Sequence, residues 1–374
     1  MTDAPPPAPH RLRGLDVLRA VAILLVLGRH WPHVPVASPD LLFGSWRRGG
    51  WVGVDVFFVL SGFLVGGLFF REFARYGRLD VPRFLVRRGF KIYPAYYLLL
   101  VVSALTGMGS QTPTLRSILC EAFYLQNYLA GHWIHTWSLA VEEHFYLVLP
   151  VVLVVLLRRG NAEAPFRGLG VVTALVVGGC LLLRWSQAGQ APVREFLIST
   201  HLRIDSLVWG TFVAWHYHAR PEWFHGLGLP VRVGLALAGV GLLAPSFVLT
   251  LGYGDYLPTL GLTANTLGSS CLLVAVLPAR FPGQVWGAVA AIGRNSYSIY
   301  LWHIAVGFAV SRLCALQPTR LPPVGWIALY LGLSIAAGFA GTHLVELPLL
   351  RLRDRLFPSR SGALPERAEA ELTP

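Results

Sequence analysis

The feature that most limits what this chain can fold into is a recurring one: stretches of about twenty predominantly apolar residues follow one another along nearly all of its 374 residues. Ten such stretches centre near residues 15–34, 52–70, 90–107, 139–157, 168–184, 203–219, 231–251, 257–278, 290–310 and 324–346. Each is long enough to cross a bilayer as a helix, and together they leave no room for a separate soluble core. The expected fold class is all-α, a polytopic membrane helix bundle of about ten transmembrane helices. Hydrophobic residues make up 54% of the chain and charged ones 13%, about half the charged share of an ordinary soluble protein. Residues 1–10 and 358–374 are expected to be disordered tails around one membrane domain, 11–357.

Charge sets the expected orientation. Arg11 and Arg13, the cluster from Arg71 to Lys91, then Arg158, Arg159, Arg167, Arg220, Arg232, Arg280, Arg351, Arg353 and Arg355 fall on alternate connections. The opposite connections hold chiefly Arg47, Arg48, Arg194, Arg312 and Arg320. The positive-inside rule then places both termini in the cytoplasm. The net charge of +12 is read as topology and not as a nucleic-acid surface. Cys120, Cys180, Cys271 and Cys314 stand singly, so they frame neither a zinc site nor disulfides. No P-loop, GxGxxG or internal repeat points to a nucleotide-driven pump. A cleaved signal peptide ending near Ala37 is disfavoured by Asp16 and Arg19 inside the apolar run, which is kept as the first helix.

Ionisable residues inside such spans cost roughly 2.5–3.5 kcal/mol each on insertion scales, so they mark function. The first span carries Asp16, Arg19 and His30. Asp16 and Arg19 are three apart, and Arg19 and His30 eleven apart, so all three share one helix face. His30 then lies about 16 Å along the axis from Arg19, a separation suited to a ligand anchored at one end and reacting at the other. A satisfied buried histidine is the bland alternative. Asp55 opens the second span, to pair with His30 or Arg47 or simply to favour the helix start. Ser61 and Gly62 read as small residues for close helix packing, not as a nucleophile site.

The densest basic run presents Arg83, Arg87, Arg88 and Lys91, suited to phosphates or to anionic lipid heads. Pro82 and Pro94 bracket it and suggest a short interfacial helix. Residues 111–136 are too short and interrupted to span. Beyond them Trp137, Glu142, Glu143 and Tyr146 bring polarity into the fourth span, with one carboxylate facing inward beside the phenol. His132, His135 and His144 lack metal-ligand spacing, so no metal site is expected. Arg203 and Asp205 open the sixth span, and the ninth has a hydroxyl-rich face with Tyr297, Tyr300 and His303.

Taken together, LDVLRAVAILLVLGRH, GVDVFFVLSGFL, the run from Arg87 to Pro94, WSLAVEEHFYL, RIDSLVWG, IGRNSYSIYLWH and VELP resemble, in order, the acyltransferase 3 family of integral membrane O-acyltransferases. That family modifies sugars of lipopolysaccharide, peptidoglycan, Nod factors and macrolides. The resemblance runs from Arg11 to about Arg355 and includes the Arg-x10-His pattern at Arg19 and His30. Its usual LDGLRG is LDVLRA here, His144 replaces a Gln, and Leu347 stands where Arg is common. The resemblance implies an acyl-CoA donor, most often acetyl-CoA, with its phosphates on Arg83, Arg87, Arg88 or Lys91, and no permanently bound cofactor. It implies a carbohydrate or lipid-linked glycan acceptor and an inner (plasma) membrane location among lipids. His30 would be the general base, Arg19 would lie on the donor route, Asp16 would hold Arg19, and Glu142 would orient His30 or the acceptor. Asp55, Trp137, Tyr146, Arg203, Tyr297 and His303 would line the substrate path. With only a short polar tail after the tenth span, the acyl group is expected to be handed over within the membrane domain. A transporter or flippase using the same buried charges is the rival class.

Overall fold

A computed structural model describes residues 12–31, 41–110, 112–161, 164–251, 256–317 and 320–358. The expectations of disorder for 1–10 and for nearly all of 358–374 lie outside the described residues. Every regular element among those described is helical. The first helices are α1 (Arg13–Arg29), α2 (Leu41–Gly49), α3 (Val52–Tyr76), α4 (Val81–Thr106), α5 (Leu115–Ala122) and α6 (Trp137–Arg159). Then come α7 (Leu169–Gln187), α8 (Val193–Ile198), α9 (Thr200–Ala219), α10 (Pro221–His225), α11 (Leu229–Leu243) and α12 (Pro245–Val248). The last are α13 (Leu262–Val276), α14 (Gln284–Arg294), α15 (Ser296–Leu316), α16 (Pro323–Gly341) and α17 (Leu347–Leu356). A helical bundle is the outcome a bilayer imposes, because each helix pairs its own backbone groups where no water can.

Eight segments among the described residues are long and apolar enough to cross a membrane: Val52–Tyr76, Val81–Thr106, Trp137–Arg159, Leu169–Gln187, Leu229–Val248, Leu257–Val276, Ser296–Leu316 and Pro323–Leu356. The protein is therefore a multi-pass membrane protein. The other two expected spans fall on α1, only 17 residues long, and on α9, which carries Arg203 and Asp205. The interfacial helix expected between Pro82 and Pro94 is not a separate element. One continuous helix of 26 residues runs from Val81 to Thr106 with Pro94 inside it. Asp80 caps its start by accepting from the Arg83 amide, and Pro82 sits in the first turn, where its missing N–H costs nothing.

Helix α3 is the centre of the bundle, packed on α1, α9 and α13. Its contact with α9 is so close that a Cβ at Gly62 would lie 1.9 Å from the Leu207 carbonyl oxygen, and one at Gly210 2.2 Å from that of Val59. Small residues let helix backbones meet in this way where lipid supplies no hydrophobic drive. The segment between α4 and α6 folds back along α4. Tyr96 donates to Glu121 at 2.7 Å and Tyr97 donates to the Ala122 carbonyl, about 15 Å below the end of α4 at Thr106. Glu121 also accepts from the His132 and Trp133 amides at 2.9 and 2.8 Å, which closes the return limb. Burial raises its carboxyl above the ordinary range, against these donors. The limb ends at Thr136, so Glu121 fixes where His135 sits and where α6 begins.

Candidate active site

Two groups of polar side chains lie inside the bundle, one on each side of the Tyr300 ring. The first lines a cavity of about 180 Å³ among α1, α3, α4, α6 and α15. That is near the ~150 Å³ of an engineered cavity that holds benzene, so it takes a short acyl thioester segment and not a whole nucleotide-bearing donor. Arg19, Ser61, Arg88, Lys91, Ser138, Glu142, Glu143, Ser296, Tyr297 and Tyr300 supply its polar lining. Glu142 accepts from Ser61 at 3.0 Å and from Tyr146, one turn on, at 2.5 Å. Arg88 donates to the Tyr146 hydroxyl and stands 3.9 Å from the Glu142 carboxylate. Ser61 is thus a cavity hydroxyl, and the close helix packing expected of it belongs to Gly62 alone. Glu143, the other carboxylate of the pair, accepts from Tyr93 at 3.2 Å.

Lys91 is ion-paired to Glu346, which also accepts from Ser298. Glu346 stands in a π-helical turn, Thr342–Glu346, between α16 and α17, the kind of local departure that often re-aims a side chain at a functional site. Tyr297 donates to the Ile92 carbonyl at 2.8 Å, with the Lys91 ammonium 5.6 Å from its ring centre. The basic run offered Arg83, Arg87, Arg88 or Lys91 to donor phosphates, and these four sit in two places. Arg88 and Lys91 reach the cavity, whereas Arg87 pairs with Asp354 of α17 at 2.9 Å and Arg83 donates to the Pro358 carbonyl.

The second group is three imidazoles. His30, at the end of α1, meets His303 of α15 with ring centres 5.1 Å apart, and His303 meets His135 at the same separation. Hydrogen bonds assign the tautomers. His303 Nδ1 lies 2.5 Å from the Tyr300 carbonyl and must donate to it, which leaves Nε2 as an acceptor. His30 Nδ1 lies 3.1 Å from the Val26 carbonyl and 3.3 Å from His303 Nε2, so it carries the proton shared between them. His30 Nε2 is then the unprotonated, basic nitrogen. His30 Nδ1 therefore faces His303 Nε2, while the Glu142 carboxylate is engaged by Ser61, Tyr146 and Arg88. His135 bonds the Leu301 carbonyl at 3.2 Å, and burial with His30 alongside pushes its imidazole down to about 3, so it is neutral at pH 7.

Several expected partners change. Asp55 pairs with neither His30 nor Arg47, because close packing of α3 on α9 brings Arg203 to 2.6 Å, while Asn265 of α13 donates to its other oxygen at 3.3 Å. The Arg203 guanidinium also lies 5.5 and 5.8 Å from the centres of the Phe58 and Trp137 rings, which are themselves 6.1 Å apart. Arg203 and Asp205 do not pair with each other; Asp205 goes to Arg184 of α7 at 2.8 Å. His144 turns away from Glu142 and bonds Thr200 at 2.7 Å. Asp16 is buried where α1 meets α14, its carbonyl oxygen 1.8 Å from where a Cβ on Gly293 would fall. Sequence spacing does not single out Arg184, Glu121 or His135. Arg184 was legible as a charge at the end of an apolar span; the other two sit in a polar connection, where their residue types carry no signal.

A helical membrane bundle whose interior holds a cation-lined cavity and a polarised histidine pair is equipped for chemistry at membrane depth. The sequence model described as an acyltransferase domain, that of the acyltransferase 3 family, matches residues 12–343, and the chain belongs to that family. It is 27% identical over 325 residues to the O-acetyltransferase OatA of Staphylococcus aureus strain NCTC 8325, an overlap of 80% of this chain and 51% of the relative. A further sequence, from strain COL of that species, is 28% identical over 333 residues, 78% of this chain and 50% of its own length. The chain spans about half the length of the curated relatives it matches. No solved structure matches it.

Proposed function

We infer that this protein is an integral membrane O-acyltransferase that moves an acyl group, acetyl in the first instance, from acyl-CoA at the cytoplasmic face to a hydroxyl of a carbohydrate or lipid-linked glycan. The observation that carries the reading is the tautomer network at His30, which leaves Nε2 basic, with a cavity lined by Arg19, Arg88 and Lys91 on the far side of Tyr300. Ten membrane passes, with α1 and α9 the two polar ones, and both termini in the cytoplasm of the inner (plasma) membrane complete the arrangement. Charge bias and family membership support it.

In this reading the donor's phosphates meet basic side chains at the α4 end of the cavity, Arg88 and Lys91 nearest the thioester, since guanidinium and ammonium groups recognise phosphate by fork and by point charge. The acceptor hydroxyl attacks the thioester carbonyl as His30 Nε2 takes its proton. The carbonyl reforms with loss of the CoA thiolate, and the imidazolium returns the proton to that sulfur. An ester and CoA thiol leave, and His30 is restored. His303 keeps His30 in the productive tautomer by accepting from Nδ1. Glu142, Tyr146 and Ser61 fix the cavity wall around Arg88.

The test is release of CoA from acetyl-CoA by purified protein in nanodiscs supplied with the host's glycans and lipids. His30→Ala, folded as judged by size exclusion, should lose about 10²–10⁴-fold in transfer, the range for a general base. Equal release by both proteins would remove His30 from the mechanism. Binding of donor without release of CoA by either would favour a carrier.

A further inference from the structure

The cavity and the histidines are close but not continuous. Arg19, Arg88, Lys91, Glu142 and Tyr300 line the cavity, and His30 does not. Tyr300 stands between them. Its ring centre is 5.5 Å from that of His303 and 5.5 Å from that of His135 on one side, and 6.5 Å from that of Phe57, a cavity residue, on the other. Two hydrogen bonds pin its hydroxyl. It donates to the His135 carbonyl at 2.6 Å and accepts from the Ser138 hydroxyl at 2.6 Å. Along α15, Tyr297 at the Lys91 end, Tyr300 and His303 are spaced one turn apart, so the cavity's cationic end and the imidazoles differ by about 9 Å of rise with Tyr300 halfway. A thioester lying in the cavity as it stands has its carbonyl on the wrong side of this ring from His30.

We propose that Tyr300 is the partition between the donor cavity and the histidine pair: its side chain must swing aside for the reacting carbonyl to meet His30, and the opening it leaves sets the size of acyl group admitted. The assignment of the cavity to an acyl donor rests on the acyltransferase reading; the partition itself does not. Ser138 is then a positioning residue. Although it also lines the cavity, its part in the partition is through Tyr300, by holding the ring closed while no acyl group presses on it. The device suits a donor whose reactive end must stay away from water until an acceptor is in place. Closure is built from one side chain because α6 starts where Glu121 fixes it, so Ser138 and the His135 carbonyl are presented together.

The experiment reads access and not turnover. His30→Cys is placed in the full-length protein in sealed vesicles of one orientation, and a small charged methanethiosulfonate is added at the face carrying Arg88. The same protein without His30→Cys gives the background from Cys120, Cys180, Cys271 and Cys314. The expected labelling rate is slow with Tyr300 present and fastest with Tyr300→Ala. Tyr300→Phe and Ser138→Ala should fall between, with each lost hydrogen bond raising the rate about fivefold. These two conservative variants keep the comparison valid where Tyr300→Ala does not fold. Equal rates in all four backgrounds would overturn the partition. In parallel, butyryl-CoA is compared with acetyl-CoA as donor, and Tyr300→Ala should raise the relative use of butyryl on the order of tenfold. Labelling that follows Tyr300 while the wild type consumes neither donor would retain the partition and discard the acyltransferase reading. Transfer that proceeds while labelling ignores Tyr300 would do the reverse.

Discussion

At the scale of single side chains the proposed chemistry turns on which nitrogen of His30 carries its proton. His303 Nε2 decides that, because its own Nδ1 is committed to the Tyr300 carbonyl. Replacing His303 by Ala removes the acceptor and leaves Val26 alone to hold the tautomer, so kcat should fall about tenfold to a hundredfold with KM for the donor little changed. His303→Gln, whose amide oxygen accepts from Nδ1, should recover part of that loss, whereas a merely structural histidine would show no such rescue. Steady-state kinetics on the three proteins separate the cases. The buried pair of Asp55 and Arg203 makes a second prediction. Removing either partner leaves an uncompensated charge, which costs roughly 3–5 kcal/mol, while replacing both by apolar residues of similar volume costs less than either single change. Thermal melting in detergent measures this. Asp55, Arg203 and His30 were legible as costly residues in apolar spans. Their partners were not, since helical spacing gives neighbours on one helix and says nothing of which helix lies opposite.

At the scale of elements, close approach and a folded-back connection do most to place the site. Gly62→Ala sets a methyl 1.9 Å from the Leu207 carbonyl, and neither backbone can move without separating α3 from α9. Loss of folded protein is expected. Gly234→Ala in α11, where nothing lies within 4 Å of the new methyl, should be neutral or stabilising by up to about 1 kcal/mol. Fluorescence-detected size exclusion of the two variants reads the difference. The connection between α4 and α6 carries a pH dependence through His135. Its imidazole is near 3 when folded and about 6.5 when unfolded, so the unfolded chain binds more protons between those values. Its stabilising contribution is complete above pH 6.5 and is lost as pH falls toward 3. Melting temperatures recorded from pH 7 to 4 should decline, and His135→Gln should flatten the decline. Of these elements, the apolar helices were visible in the sequence and the fold-back was not. Its apolar residues are broken up by polar ones and glycines, and the Glu121 contacts that define it join positions 11 and 12 apart across a turn. Pro94 likewise suggested a break that tertiary packing overrides.

At the scale of the whole molecule the polar groups are stacked in layers along the bundle. The basic face of α4 and α17 comes first, then the cavity with its Arg88, Lys91, Glu142 and Glu346 network, then Tyr300, then the three imidazoles. Sequence spacing separated Arg19, which lines the cavity, from His30, which meets His303, because eleven residues of helix have a fixed length. It did not anticipate the division between them, which needs a side chain from α15 and a hydrogen bond from α6. The central claim is that His30 is the base for acyl transfer along that path, and its most direct test is donor turnover by wild type and folded His30→Ala side by side in nanodiscs with acetyl-CoA and the host's glycans and lipids. Release of CoA by the wild type, with acylated glycan as product, and its loss by about 10²–10⁴-fold in the variant is the predicted result. Equal release by the two proteins would contradict it.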